Sequence, residues 1–356
     1  SHPSIWKLTD MNGDGVADQR EEFVGKIGFT GNGNDIHGPF AGPDGWLYWT
    51  QGRHGYRIDT REGRHLEGLA ARVWRCRFNG TGLERIAGGG FDNTVELAFT
   101  ETGDLMGVVD QYPGDMLLQY VDGGVYPRQD EPTLAEFPRT GPLLGPMAGF
   151  SAAYPAALCG LVRLRSDHFG PGYRGTLLTT QFNVRRLQQH TLTREGATLR
   201  SVDKDFVVST DWDFHPTDVL EDADGSLLVV DMGSWFNYAC PTQKIAKAEV
   251  TGSIYRIRRT AAPRLDDPWG ERFDWPSLPP VRLIALLGNA RAKVSARAAE
   301  ELVKRGGAAV PALASFARGS STAESLARRE AVYALSRIST PDARSAVRTA
   351  LGHQDT

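Results

Sequence analysis

A turn centred on glycine and followed by alternating apolar residues occurs four times in the first two thirds of the chain. Glycine permits the positive φ of a tight hairpin turn, and the alternation is typical of a strand with one buried face. The four turn glycines lie 58, 72 and 50 residues apart, a spacing typical of four-stranded propeller blades with loop insertions. The copies are GPDGWLYWTQG from Gly42, TETGDLMGVVD from Thr100, GPGYRGTLLTTQ from Gly170 and EDADGSLLVVD from Glu221.

A second strand-like segment follows each copy and ends in a basic or polar turn. At least two strands per repeat are what a propeller blade requires, so we predict a mainly β propeller over residues 1–260. Only about 40 residues precede the first repeat, so the ring is either small or truncated at its N-terminal end. A β-sandwich with coincidental turns is the alternative. The segments are ARVWRCRFNG from Ala71, DMLLQYVDGG from Asp115, RRLQQHTLTREG from Arg185 and GSIYRIRR from Gly252.

The apolar pattern changes to helical spacing after Pro280. The segments VRLIALLGN, KVSARAAEELVKRG, AVPALASFARG, SLARREAVYALSRI and DARSAVRTALG place apolar residues at i, i+3 and i+4, as amphipathic helices do. We predict a small all-α solenoid of the HEAT type over residues 281–356, joined by a linker at 261–280. About two and a half helix pairs are fewer than such arrays need for stability. The helices should therefore lean on the propeller or continue in a longer chain.

Charge and composition argue against two classes of partner. The net charge is −3 and no tract of Lys or Arg stands out, so no nucleic-acid interface is predicted. No run of about 18 apolar residues occurs, so no membrane span is predicted. Cys76, Cys159 and Cys240 lack the CxxC spacing of a metal cluster. They form either one disulfide and one free thiol or three buried apolar side chains.

Residues 10–21 have the sequence DMNGDGVADQRE, which matches the oxygen-ligand spacing of a twelve-residue calcium loop. Gly15 permits the sharp turn, and the preceding SIWKLTD is strand-like, so the loop should close a hairpin rather than an EF-hand. We predict a bound Ca²⁺ with a stabilising role, and an Asx-rich turn without metal is the alternative. The predicted ligands are five side chains and one backbone carbonyl, that of Val16, in the set Asp10, Asn12, Asp14, Val16, Asp18 and Glu21.

Four residues at junctions of loop and strand are candidates for a site in the central channel. His37 and Arg53 flank the strand of the first repeat, and His215 and Asp218 precede the strand of the last. Loop ends on one face of a propeller line its channel, where imidazole and carboxylate groups suit acid/base work or a divalent metal. A histidine that caps a turn and ordinary solvated carboxylates are the alternatives. We predict that all four side chains converge at one channel mouth.

Three segments carry a resemblance to a known family. They are IHGPFAGPDGWLYWTQG from Ile36, the stretch from Tyr154 to Leu192, and HPTDVLEDADGSLLVVDMGSWFNYACP from His215. They resemble segments of soluble quinoprotein glucose/sorbosone dehydrogenases. Together they look most like the membrane-bound dehydrogenase proteins of planctomycete-type bacteria, in which such a propeller precedes HEAT repeats. The resemblance covers residues 1–259, and residues 281–351 are similar to the repeats that follow.

The resemblance implies a sugar or alcohol dehydrogenase that works in the periplasm or outside the cell. In that family a histidine before the first repeat takes the proton from the sugar hydroxyl while hydride passes to pyrroloquinoline quinone, and His37 is the matching residue here. The arginines that hold the quinone carboxylates are missing, because the matching positions have Asp92 or Asn93, and His215 and Thr217. Since bidentate guanidinium pairing is the strong way to hold carboxylates, we predict no tight quinone binding by this chain.

Three functions remain open at this point. The first is an exported, carbohydrate-acting propeller of the sugar dehydrogenase kind, with calcium as cofactor and a carbohydrate or small molecule as substrate. The second is a non-catalytic propeller–solenoid module that binds carbohydrate or protein. The third is a cofactor-free carbohydrate lyase or hydrolase that uses His37, His215 and Asp218. In each case the helical repeats would dock a redox or scaffold protein.

Overall fold

Antiparallel sheets that follow one another along the chain make up the first two thirds of the protein. The computed structural model describes residues 4–25, 27, 36–111, 114–126, 136, 148–149, 156–235, 247–319 and 325–352. Within these ranges the chain forms twenty strands, followed by five α-helices. The prediction of a mainly β region followed by an all-α region is confirmed.

A two-stranded hairpin comes first and a five-stranded sheet follows it. The hairpin consists of β1 (Ile5–Thr9) and β2 (Gln19–Val24). A second hairpin, inserted in the connection from β4 to β7, consists of β5 (Tyr56–Asp59) and β6 (His65–Gly68). The sheet consists of β3 (Ile36–Ala41), β4 (Trp46–Gln51), β7 (Ala71–Arg77) and β8 (Glu84–Gly89), with β12 (Gly124–Tyr126) parallel to β8.

Three more sheets repeat the plan of an antiparallel meander. The next sheet consists of β9 (Asn93–Phe99), β10 (Leu105–Asp110), β11 (Met116–Tyr120) and β13 (Ala148–Gly149). The sheet after it consists of β14 (Leu158–Arg163), β15 (Leu177–Gln181), β16 (Arg186–Glu195) and β17 (Thr198–Val208). The last consists of β18 (Pro216–Glu221), β19 (Leu227–Gly233) and β20 (Thr251–Ile257).

The repeated glycines lie in the turn between the first and second long strand of each sheet. Gly45, Gly103, Gly175 and Gly225 all have positive φ, between 81° and 89°. A residue with a Cβ rarely adopts this conformation, which explains why glycine recurs at these turns. The four-fold repeat in the sequence therefore marks four successive sheets, as predicted.

Neighbouring sheets contact each other mainly through their first strands. β9 packs against β3 and β4, β14 packs against β9 and β10, and β18 packs against β14 and β15. Apolar side chains fill the space between sheets; Met106, Val108 and Leu117, for example, pack against Leu158 and Leu161. Successive blades of a β-propeller pack in this way, with the first strand of each blade nearest the central axis.

Five helices follow, and they enclose a hydrophobic core of their own. They are α1 (Pro280–Leu286), α2 (Ala292–Lys304), α3 (Val310–Ala317), α4 (Ser325–Arg337) and α5 (Pro341–Ala350). Trp275, from the predicted linker, is buried in this core beside leucines such as Leu283 and Leu302. Among the described helices, none combines the length and the apolar character needed to cross a membrane. The assignment of these helices to the HEAT class stays a prediction.

Helix α4 lies against the glycine turns of the sheets. Gly103 faces the hydroxyl of Tyr333, and Gly45 faces the side chain of Arg337. Glu101, next to the first of these turns, pairs with Arg329 of α4 at 3.5 Å. The helical unit therefore covers the face that carries the turns, which is opposite to the end where the first strands begin.

Candidate active site

The first strands of four successive sheets begin at the same end, and their polar side chains meet there. His37 of β3 contacts Asn93 of β9 through Nε2 and Oδ1 at 2.7 Å. The backbone N–H of Leu161 in β14 donates to Glu96 Oε2 of β9 at 2.8 Å. Residues from three sheets are thus hydrogen-bonded to one another at this end of the β-region, two sheets through side chains and the third through a backbone N–H.

The central feature is a set of four carboxyl groups, called here the carboxyl cluster. A carboxyl group buried without a cation retains its proton at higher pH than one in water. The thiol of Cys159, at the start of β14, lies among them, and burial together with these negative charges raises the pKa of that thiol. The members are Glu96, Asp110, Asp115 and Asp218.

Glu96 and Asp218 form the first pair within the cluster, from sheets that are adjacent to the sheet of β14 on either side. Burial raises the pKa of Glu96 to about 8, and the charge of Asp218 adds to the effect. The pKa of Asp218 is also raised by burial, although it accepts hydrogen bonds from the Val219 N–H and from Glu96. Glu96 is therefore the protonated member at neutral pH and Asp218 is the acceptor.

Asp110 and Asp115 form the second pair. Burial raises the pKa of Asp110 to about 7, and the neighbouring charge of Asp115 raises it further. Asp115 is only 1% exposed, and its oxygens accept the backbone N–H groups of Gln111 at 3.1 Å and Ala157 at 2.8 Å. These bonds fix the Asp115 carboxylate, so the shared proton resides on Asp110.

His37 is connected to the second pair through an amide. Asn93 Nδ2 donates to Asp110 Oδ2 at 3.5 Å, and Asn93 Oδ1 faces His37 Nε2. Because an amide oxygen can only accept, Nε2 donates the hydrogen in this contact. The asparagine thus orients the imidazole relative to the carboxyl cluster.

Arg53 lies at the edge of the same site. Its Nε donates to Asp92 Oδ1 at 3.1 Å, and Asp92 directly precedes Asn93. The guanidinium group of Arg53 therefore balances the negative charge of Asp92, which occupies the position where the resembling family has an arginine. His37 lies near the start of β3 and Arg53 follows the end of β4, so both residues lie at the open end of the β3–β4 hairpin and contact the start of β9 from there.

His215 occupies a packed position beside the cluster. Its ring stacks on Phe182 with centroids 4.6 Å apart, and Nδ1 lies 2.9 Å from the carbonyl oxygen of Gly233. Since that oxygen only accepts, Nδ1 donates the hydrogen. Thr217 likewise uses its hydroxyl, which donates to the Val230 carbonyl at 3.3 Å. Of the four predicted residues, Asp218 belongs to the cluster, His37 and Arg53 contact Asn93 and Asp92, and His215 packs on Phe182. Their catalytic roles stay predictions.

The sequence did not predict that Glu96, Asp110, Asp115 and Cys159 belong to the site. Glu96 and Cys159 lie inside apolar strands with no motif around them. Asp110 did have a signal, because GVVD of the second repeat and LVVD of the fourth both end in aspartate. Asp231, the matching residue, accepts the backbone N–H groups of His215 and Gly233.

The predicted calcium loop connects β1 to β2, as a hairpin turn rather than an EF-hand. Asp10 accepts the backbone N–H groups of Gly13 at 2.6 Å and Gly15 at 2.8 Å, and these bonds lower its pKa. Asn12 Nδ2 donates to Asp14 at 3.2 Å. The last predicted ligand, Glu21, pairs instead with Arg61 on the neighbouring hairpin. Within the described ranges, no three His, Cys, Asp or Glu side chains are arranged to hold a metal, so the calcium site stays a prediction.

Cys76 and Cys159 are both free thiols. Cys76 is fully buried, and burial raises the pKa of its thiol to about 12. Cys240 lies outside the described residues. Cys76 therefore fits the expectation of a buried apolar side chain, whereas Cys159 lies among carboxyl groups.

Comparison with known proteins places the β-region in a family. Residues 1–261 match the model of a family described as a domain of unknown function, DUF7133. No curated protein sequence matches the chain.

Among solved structures, similar ones include an oxidoreductase of the glucose dehydrogenase type from Thermus thermophilus, with 19% identity, a TM-score of 0.48 and coverage of 71% of this chain and 74% of that chain. Another glucose dehydrogenase has 16% identity, a TM-score of 0.48 and coverage of 71% and 72%. Likenesses at this level carry no information about substrate or chemistry.

Proposed function

This chain belongs to the DUF7133 family, and we propose that its β-region is a carbohydrate-acting enzyme that moves protons at the carboxyl cluster. The observation that carries the proposal is that one carboxyl group in each pair has a raised pKa, about 8 for Glu96 and about 7 for Asp110. Glu96 donates a hydrogen bond to Asp218, and Asp110 donates one to Asp115. Titratable groups with strongly shifted pKa values are concentrated at functional sites.

Such pairs suit general acid/base chemistry near neutral pH. A protonated Glu96 or Asp110 can donate to a sugar oxygen, while the deprotonated partner can accept a hydroxyl proton, the role that the family resemblance gives to His37. Uncharged polyols are the fitting substrates, because an anionic ligand would be repelled by Asp115 and Asp218. Sugar or alcohol dehydrogenation is the reaction implied by the family resemblance.

The residues present do not fit pyrroloquinoline quinone as the acceptor. A tricarboxylate needs cations, yet His215 and Thr217 bond to backbone carbonyls and Arg53 pairs with Asp92. The carboxyl cluster adds negative charge where the quinone would lie. We expect calorimetric titration with the quinone and Ca²⁺ to give no sub-micromolar Kd. A tight complex, or dye-linked glucose oxidation after reconstitution, would contradict this reasoning.

The carboxyl pairs also favour a second candidate, a lyase or hydrolase that needs no acceptor. One protonated and one ionised carboxyl are the groups that cleavage of a glycosidic bond requires. The two candidates are separated by their products, since oxidation reduces an artificial dye and cleavage releases new reducing ends. Both assays should be run on the same panel of mono- and oligosaccharides.

The decisive experiment compares carboxyl-to-amide variants. Glu96→Gln and Asp110→Asn each keep the shape of the side chain but remove its titration, and Glu195→Gln is the matched control on the exposed hairpin tip between β16 and β17. We expect the first two to lose most of the rate and the control to keep it. In the wild type the rate should fall as the pH rises through about 7 to 8, because Asp110 and Glu96 then lose their protons. Full activity in both amide variants would refute the proposal.

Location and partners complete the proposal. The resemblance supports an exported protein, and the position of α4 on the turn face leaves the opposite end open to substrate. The outward side of the helices would then be available to a redox or scaffold partner. Cell fractionation, followed by affinity capture with the helical unit retained or deleted at residue 261, tests both points.

A further inference from the structure

Trp212 is a large aromatic side chain that is held at the surface. It is 69% exposed, in the loop from β17 to β18. The loop is tied down on both sides of this residue, since Asp211 accepts the N–H of Asp213 and Asp213 accepts the hydroxyl of Ser234 at 2.8 Å. Lys247 also pairs with Asp213 at 2.6 Å. These contacts restrain the loop in a conformation that leaves the Trp212 indole exposed.

Arg185 supports one face of this indole. Its guanidinium carbon lies 4.0 Å from the centre of the Trp212 ring. The backbone of Arg185 has φ of 55°, in the left-handed region that residues with a Cβ rarely adopt. Its Nε is buried and has no hydrogen-bond partner among the described residues. A strained backbone and an unsatisfied donor both reduce stability, and such features are concentrated at ligand-binding sites.

The turn between β15 and β16, which carries Arg185, is connected to the carboxyl cluster. Arg185 N–H donates to the carbonyl of Phe182, and the Phe182 N–H donates to the carbonyl of Ala157 at 3.1 Å. Ala157, which also has a left-handed φ of 51°, donates its own N–H to Asp115. One short chain of hydrogen bonds therefore leads from the cluster to Arg185, whose guanidinium group contacts the Trp212 ring. The two lie on the same end of the β-region.

We propose that Trp212, backed by Arg185, is a subsite that stacks on a pyranose ring of a saccharide whose reacting ring lies at the carboxyl cluster. The exposed face of an indole matches the apolar C–H face of a pyranose, and the guanidinium on the other face holds the ring in place. A ring at each position requires a substrate of at least two linked sugars. The substrate class is therefore an oligosaccharide or a glycoside rather than a free monosaccharide. This inference rests on the proposed carbohydrate function.

The test measures binding as a function of chain length. Wild-type protein and variants are titrated by calorimetry with glucose, cellobiose, cellotriose, maltose and maltotriose, and screened on an array of immobilised neutral oligosaccharides. We expect Trp212→Ala to weaken binding of the oligosaccharides by about tenfold, the size of one aromatic stacking contact. Binding of a monosaccharide should change by less than about twofold, and Trp212→Tyr should restore most of the affinity.

Two further variants separate stacking from folding. Trp269→Ala removes a tryptophan that is 49% exposed near the helical unit, and it should leave every affinity unchanged. Arg185→Gly removes the guanidinium while fitting the left-handed backbone, so it should weaken oligosaccharide binding without lowering the Tm.

The outcomes distinguish this subsite from the proposed function. If monosaccharide and oligosaccharide bind equally well and Trp212→Ala alters neither, the subsite is wrong while the carbohydrate function stands. If no saccharide binds to the wild type on the array or in solution, both are wrong. An affinity that depends on chain length and is lost in Trp212→Ala supports both.

Discussion

Replacing Glu96 with glutamine should change how the stability of this protein depends on pH. The carboxyl of Glu96 has its pKa raised from 4.5 to about 8, first by burial and then by the charge of Asp218. Below pH 4.5 the group is protonated in both folded and unfolded chains and contributes no pH dependence. Between these two values the folded chain keeps a proton that the unfolded chain releases, so the free energy of unfolding falls as the pH rises. Above pH 8 the loss is complete.

The size of the effect follows from the two pKa values. Their difference, at about 1.4 kcal/mol per pH unit, corresponds to at most about 5 kcal/mol for the isolated group. Sharing of the proton with Asp218 and relaxation around the charge will reduce it, so we expect about 2 to 5 kcal/mol. Glutamine keeps an oxygen that can accept the Leu161 N–H and adds N–H donors for Asp218, as protonated Glu96 does. The variant should therefore match the wild type at low pH and exceed it at high pH.

Urea unfolding at pH 5, 7 and 9 measures this difference. Because the other titrating groups are common to both proteins, subtracting the two curves isolates Glu96. Glu195→Gln, which removes an exposed carboxyl, should give a curve parallel to the wild type. If the Glu96→Gln and wild-type curves stay parallel within about 0.5 kcal/mol, Glu96 titrates as an ordinary surface carboxyl and the account of the cluster is wrong.

Two further predictions concern other parts of the molecule. Adding Ca²⁺ should raise the Tm of the wild type, EDTA should reverse the rise, and Asp10→Ala with Asp14→Ala should abolish the response; an unchanged melt in all three cases would leave the loop as a plain turn. Gly103→Ala should destabilise the protein by about 1–3 kcal/mol in urea unfolding. The alanine backbone would have a strained φ, and its Cβ would collide with the Tyr333 hydroxyl. Gly63 has a similar left-handed φ, 80° against 89° for Gly103, but open space around it. Equal losses in Gly63→Ala and Gly103→Ala would show that the contact with α4 is unimportant.

The repeated turns and the helices were predictable because their signals are local. A glycine that needs positive φ, such as Gly45 or Gly103, is recognisable from its immediate neighbours. Helical periodicity after Pro280 is equally local, and all five predicted helices are present. The order in which the sheets pack is also predictable from the sequence, because consecutive meanders along a chain are usually adjacent in space.

The carboxyl cluster could not be predicted in the same way. Glu96 and Asp218 are 122 residues apart, and nothing in either strand indicates that the other is near. Their pKa values depend on burial between two sheets, which is a property of the packed structure. The packing of His215 on Phe182, 33 residues away in the sequence, likewise depends on how two sheets pack, and the catalytic role of His215 stays a prediction.

Residues with a left-handed φ differ in type between the two ends of the β-region. At the turn end, the left-handed positions are occupied by glycine, which adopts them without strain, and helix α4 packs closely over two of them. At the opposite end, two left-handed positions are occupied by Ala157 and Arg185, and each of these residues contacts a functional group, Asp115 or Trp212. Left-handed residues that carry side chains and contact these groups are expected if this end of the β-region binds the substrate while the turn end holds the helical unit.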